Sequence, residues 1–326
     1  MRKILLAAAV VAVAIAIALL LPRHANAYAA VPLPAHFNFT VGIGTHGNES
    51  SELFALDNGV RYFRTDITLN GSQAEWIGYE HTKYGAQYIG ILDYATIPRN
   101  ESKTWNLSVW NESVAKAVSK YPYIRYWEIW NGPWVGSFQT GYMNGSAYSY
   151  YMLVKSAYTI IKADDPNATV ICFGGAPIAN YNVYQWYAQV WSYGASRYCD
   201  AISIHAYPPG PYPMNGSLNY TWATGLYQYE QLTHRPIYIT EFGMPSSSAV
   251  LPGFSQGLQK EFMEQGFAFF SRFSYVKGVY WYDLWGLSDG ALGNDFGLLN
   301  STNPNGTPSE AWSTFVKIYG NSSSVG

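Results

Sequence analysis

Side chains that could do chemistry recur at one place in this sequence, the end of an apolar, β-rich run. Arg64 and Asp66 close one such run and Asp93 the next. Asn131, then His205 with Tyr207, Glu241, and Trp281 with Asp283 close four more. Carboxylates, an imidazole, a phenol and a guanidinium hold, donate or accept protons, and a carboxylate can also attack electrophilic carbon. One such residue at a strand end says little, whereas the repetition over successive strands points to a single site. No metal chemistry is written into the chain: the six histidines are scattered, and neither HExxH nor CxxC occurs. No cofactor is expected.

Strands must hold these residues in place, and helical patterns separate the strands. The β-rich runs span 39–45, 62–69, 87–94, 124–131, 169–174, 201–207, 237–242 and 276–285. Amphipathic stretches lie near 49–58, 73–84, 110–121, 146–164, 184–197, 224–233, 255–273 and 309–319. Strands alternating with helices give βαβ units and a parallel sheet. Eight units in roughly 280 residues predict an α/β fold, a single closed (β/α)8 TIM barrel, with the site at the C-terminal ends of its strands. A doubly wound open sheet is the alternative. It usually carries a glycine-rich phosphate loop after its first strand, and IGTHGNES has no such pattern.

Arg2 and Lys3 precede an unbroken apolar run from Ile4 to Leu21, and Ala25-Asn26-Ala27 fits a small-x-small cleavage site. The expected organisation is a signal peptide over 1–27, a barrel over 28–320 and a flexible tail over 321–326. The apolar run is longer than a usual signal core, so membrane anchoring through residues 4–21 is the second reading. Both readings place the barrel outside the cytoplasm, secreted or anchored at the cell surface.

Only 12% of the residues are charged, about half the usual share. Thirteen Asn-x-Ser/Thr sequons, at Asn38, Asn48, Asn70, Asn100, Asn106, Asn111, Asn144, Asn167, Asn215, Asn219, Asn300, Asn305 and Asn321, predict a surface carrying N-linked glycans. A surface so poor in ionisable groups suits an acidic or hot habitat. The net charge of −2 leaves no basic footprint for nucleic acid. Cys172 and Cys199 could pair outside the cytoplasm or remain as small apolar residues.

Several motifs resemble glycoside hydrolase clan A, most closely families 5 and 39. Phe63–Asp66 (FRTD) resembles the second-strand segment with the site arginine, and Trp127–Pro133 (WEIWNGP) the fourth-strand WEIWNEP. His205–Tyr207 (HAY) resembles the sixth-strand His-x-Tyr, and Ile239–Gly243 (ITEFG) the seventh-strand nucleophile segment. YWYDLW and the following DFGLLNSTNPNGTPSEAW resemble the eighth strand and closing helix. The resemblance implies a retaining hydrolase of β-linked oligo- or polysaccharides with Glu241 as nucleophile. Arg64 and Tyr207 would hold its charge, Asn131 would meet the sugar 2-hydroxyl, and Trp281 would lie under the ring. His205 would line the site or support it structurally. The flanking Trp130, Trp134 and Trp285 are further candidates for stacking on sugar.

The pattern breaks at one position. Retaining hydrolysis needs a second carboxyl about 5–5.5 Å from the nucleophile, first as acid and then as base. The family places it after the asparagine, where this chain has Gly132. Glu128 shares the parity of position 132, but at about 3.3 Å per residue it lies roughly 13 Å deeper and reads as a buried, paired residue. Asp93 is the better-placed substitute, ahead of Asp66, Asp283 and Glu101. Three readings follow: a glycosidase whose acid is displaced or dispensable, a non-catalytic glycan-binding surface protein, or a variant of an active parent.

Overall fold

The computed structural model describes residues 32–98, 104–136, 140–248, 252–286, 288–289, 294–299 and 307–321. The expected signal or anchor segment, Asn100, Glu101, Asn300, Asn305 and the tail beyond residue 321 lie outside the described residues.

The eight β-rich runs form eight parallel strands: β1 (Thr40–Gly44), β2 (Tyr62–Asp66), β3 (Gln87–Leu92), β4 (Tyr126–Ile129), β5 (Thr169–Pro177), β6 (Ala201–Ala206), β7 (Ile237–Phe242) and β8 (Val276–Trp281). They close into a barrel in sequence order, with β8 returning to β1 through Thr40 opposite Gly278 and Ile43 opposite Trp281. Among the described residues, eight α-helices alternate with them: α1 (Glu49–Asp57), α2 (Gln73–Tyr84), α3 (Leu107–Lys120), α4 (Ala147–Asp164), α5 (Tyr181–Ser192), α6 (Gly216–Thr233), α7 (Gln256–Phe270) and α8 (Glu310–Gly320). This is the single (β/α)8 barrel that the alternation predicts. A short antiparallel pair, β9 (Ser288–Asp289) and β10 (Asn294–Asp295), follows the last barrel strand.

Local chemistry starts the helices. Asn48, Asn106, Asn180 and Asn215 each accept a hydrogen bond from a backbone N–H of the first turn, as do Ser146 and Ser255, which satisfies donors that a helix start leaves open. Asn48, Asn106 and Asn215 are also sequon asparagines, so capping gives them a role in folding that needs no glycan.

Alternation along the strands sorts side chains into two layers. Inside the barrel, Ile89, Ile171, Ala201 and Tyr280 pack with Tyr62, Tyr126 and Tyr238. Between barrel and helices lies the larger apolar layer, typified by Phe242 against Phe262, Phe267 and Phe270. One polar cluster sits in this outer region: the Tyr88 hydroxyl meets carboxylate oxygens of both Glu80 and Glu52, and Thr45 donates to Glu52 over 2.5 Å. Cys172 of β5 and Cys199, just before β6, form a disulfide.

Candidate active site

β2 and β7 build the centre of the site. Arg64 is almost wholly buried and divides its donors between two acids. Its Nη1 lies 2.7 Å from Glu241 Oε1, and its Nε lies 2.6 Å from Glu128 Oε2. Thr240 Oγ1 donates to the other Glu128 oxygen over 2.9 Å. Glu128 is therefore a sealed, paired residue at the base of the site, as its depth on β4 requires. Glu241 remains accessible from above. Its Oε2 accepts from the Tyr207 hydroxyl at 2.5 Å and lies 3.2 Å from His205 Nδ1.

These partners fix the charges. Burial pushes the Glu241 carboxyl up, but the pull of His205, Arg64 and the Tyr207 hydroxyl outweighs it and holds the group below the usual carboxylate range. Burial holds the His205 imidazole below its ordinary value against the opposing pull of Glu241, and its Nδ1 faces the carboxylate. Glu241 is thus an ionised carboxylate with both oxygens oriented and one face open.

The β4 end explains how Gly132 is held. The strand stops at Ile129, and the chain then turns through positive φ at Trp130 (70°) and Gly132 (60°). The Gly132 N–H donates to Gly174 O over 2.7 Å, and its carbonyl accepts from Val135 N over 2.8 Å. Two glycines of β5 make room for the turn and its neighbour. A Cβ at Gly174 would stand 2.7 Å from the Trp130 carbonyl oxygen, and one at Gly175 would stand 2.2 Å from the His205 ring. β5 shifts register against β6 between Cys172 and Ala176, and the sequence signal for that bulge is the GG pair inside a strand pattern.

A cleft of about 850 Å³ opens over Glu241, lined in part by Asn131, Gly132, Trp134, His205 and Tyr207. The strand-end residues Arg64, Asn131, His205, Tyr207 and Glu241 thus come together around one cavity, Arg64 from beneath it. Trp281 does not. It is fully buried, with its ring edge-on to Phe242 at 5.2 Å. The cause is strand parity: Tyr280 points into the barrel, so Trp281 faces the helices. Its neighbour Tyr282 lines the cleft instead. Trp130 is likewise buried, against Trp105 and Trp110, and of the flanking tryptophans only Trp134 reaches the cleft.

Asp93 also departs from expectation. It is fully buried, with Oδ1 accepting from Ala95 N over 2.7 Å. Burial and the nearby Asp66 charge push its carboxyl well up. It lies beneath the cleft surface rather than on it. Asp66 does line the cleft, beside a residue that motif reading passed over, His46 after β1. His46 Nδ1 is 3.7 Å from Asp66, and its Nε2 is 3.5 Å from Asp283 and 3.2 Å from the Tyr282 hydroxyl. Burial would lower the His46 pKa, but hydrogen bonds to Asp283 and Asp66, and their charges, raise it to about 10. A second cavity, of about 900 Å³, lies at the opposite end of the strands among Tyr62, Tyr126, Tyr238 and Tyr280, away from this chemistry.

Known proteins share this architecture. A family 39 glycoside hydrolase from Bacteroides cellulosilyticus WH2 superposes with a TM-score of 0.63 at 18% identity, over 87% of this chain and 64% of that one. A β-D-glucuronidase from Dictyoglomus thermophilum gives 0.60 at 15% identity, over 87% and 50%. A Ruminococcus gnavus β-glucuronidase in complex with D-glucuronic acid gives 0.63 at 15%, over 86% and 49%. The chain therefore spans less than two thirds of the length of these proteins, and at such identities the likeness is one of fold. No functionally curated protein matches the chain. The family model of the glycosyl hydrolase catalytic core matches residues 110–315, a span from α3 to α8 that includes Gly132 and Glu241, and the chain belongs to that family.

Proposed function

We propose that this barrel is a retaining glycosidase acting on β-linked oligo- or polysaccharides, with Glu241 as nucleophile and no fixed proton donor at position 132. The observation that carries this reading is the binding of one open carboxylate by Arg64, Tyr207 and His205 at the floor of a cleft. Glu241 attacks the anomeric carbon, the glycosidic C–O bond breaks, and the leaving group departs with a proton taken from solvent or a small diffusible acid. Water then releases the sugar from Glu241. Asn131 meets the 2-hydroxyl, and Trp134 and Tyr282, which line the cleft, supply ring surface in place of Trp281. The N-terminal run and the exposed sequon residues Asn38, Asn70, Asn144 and Asn167 support a secreted or surface-anchored glycoprotein.

A positioned general acid typically contributes about 10²- to 10⁴-fold, so glycosides with poor leaving groups should react slowly and activated aryl glycosides should still react. A series of aryl β-glycosides of falling leaving-group pKa, with intact-mass detection of a glycosyl adduct, tests this. We expect an adduct on Glu241, and a rate that depends steeply on the leaving group. If no glycoside labels Glu241 and none turns over faster than with Glu241→Ala, the second reading takes its place. That reading is a non-catalytic glycan-binding surface protein, favoured by the Gly132 N–H being committed to Gly174 O at positive φ.

A further inference from the structure

The charges around the cleft carry a consequence for the substrate. A sugar bearing a carboxylate needs a cation that is free to meet it, because an ionised group drawn out of water without a partner is strongly disfavoured. Among the described residues, the cations at the cleft are Arg64 and the His46 imidazolium. Arg64 is held between Glu128 and Glu241 at 2.6 and 2.7 Å. His46 stands between Asp66 and Asp283 at 3.7 and 3.5 Å. These two cations thus face four carboxylates of the chain itself. His205, the remaining basic ring, is itself turned to a carboxylate, with Nδ1 3.2 Å from Glu241 Oε2.

The sequence supports the same conclusion independently. Across all eight connections that run from a strand end to the next helix, Lys and Arg occur only at Arg99 and Lys103. Both belong to the connection after β3 and lie outside the described residues. The other seven connections, including the long ones after β4, β7 and β8, have no permanent cation to offer.

We propose that the cleft selects neutral glycosides and rejects uronates, because each cation that faces it among the described residues is already bound by carboxylates of the chain. This rests on the glycosidase reading above and adds a substrate class to it. It also separates this chain from the glucuronidases that share its fold. A uronate carboxylate would enter a cleft of net negative charge, whereas a neutral pyranose would meet the hydroxyl, amide and ring groups of Tyr207, Asn131 and Trp134 with no such penalty.

Calorimetric titration of the intact protein with isofagomine, and with the same ring carrying a carboxylate, tests the proposal without requiring turnover. The ring without the carboxylate should bind at least about a hundredfold more tightly, the size of effect that like-charge juxtaposition produces. Asp66→Asn releases part of the His46 charge and should reduce that ratio about tenfold. Asp283→Asn provides the same test should the first variant not fold. Equal or tighter binding of the carboxylate ring would overturn the proposal, and so would a ratio unchanged in both variants. If neither ring binds, the sugar site itself is lost and the inference goes with it. A protein that binds with the expected ratio but never forms a Glu241 adduct keeps the specificity and loses only the catalytic reading.

Discussion

Gly132 and Glu241 set the expectations at the scale of single residues. Glu241 is held ionised below the usual carboxylate range by the groups around it, so the acid limb of kcat/KM on an activated aryl glycoside should fall below about pH 4.5. With no carboxyl at 132 there is no acid to deprotonate, so the profile should stay flat on the alkaline side of neutrality where a two-carboxylate enzyme turns down. Gly132→Glu should restore the alkaline limb and raise turnover of poorly activated glycosides by about 10²-fold or more. The gain comes against resistance, since φ at 132 is 60° and a left-handed conformation costs a side chain about 1–2 kcal/mol. A pH–rate series on both proteins reads both effects. A glutamate variant with unchanged rate and profile would show that the β4 end cannot direct a side chain at the leaving group. The same positive φ marks what the motif alone does not convey: position 132 lies past the end of its strand, in a turn.

At the scale of elements, the cluster joining α1, α2 and β3 bears on pH. Glu52 and Glu80 are both buried and share the Tyr88 hydroxyl, which has one proton to give. Burial raises the Glu80 carboxyl to about 7, and burial with the Glu80 charge raises Glu52 well above its ordinary value. A carboxyl whose folded pKa lies above its unfolded value contributes stability that is complete below about pH 4.5 and is lost as pH rises through the folded value. Melting temperature should therefore be highest near pH 4–5 and fall toward pH 8. In Glu80→Gln that slope should flatten by on the order of 5 °C. Thermal melts of both proteins from pH 4 to 8 decide it, and parallel curves would remove the cluster as the cause. This specific pair could not be read from the chain. Glu52 and Glu80 look like ordinary helix-surface acids until α1 and α2 dock on β3.

For the whole molecule, closure of the barrel depends on joining β5 to β6 across a bulge, and the disulfide spans the same junction. Cys172 and Cys199, 27 residues apart with Cα atoms at 5.7 Å, are both buried. Replacing both with alanine should destabilise the fold by about 3 kcal/mol, seen as a drop in melting temperature on the order of 10 °C. The wild type should converge on the variant under a strong reductant. Charge is also divided along the barrel axis. Arg61, Arg125, Arg197, Arg235 and Arg272 lie on the segments leading into the strands, while carboxylates gather at the strand ends. The cleft that is unfavourable to anions is one pole of that distribution.

Alternating period-2 and helical patterns determined the eight strands, their order and the face on which the site forms, because those patterns state which side of each element must leave water. They also determined that Glu128 could not replace the missing acid, since the rise of a strand is fixed. Tertiary structure alone decided which strand-end residues reach a ligand. Trp281 and Trp130 carry the right rings but face the helices and the outer core, and Asp93 carries the right carboxyl beneath the surface. His46, from a stretch with no motif, takes its charge from Asp66 and Asp283, which only barrel closure brings to it. A sequence records what each side chain can do, and the environment that sets its charge and access is assembled from distant segments of the chain.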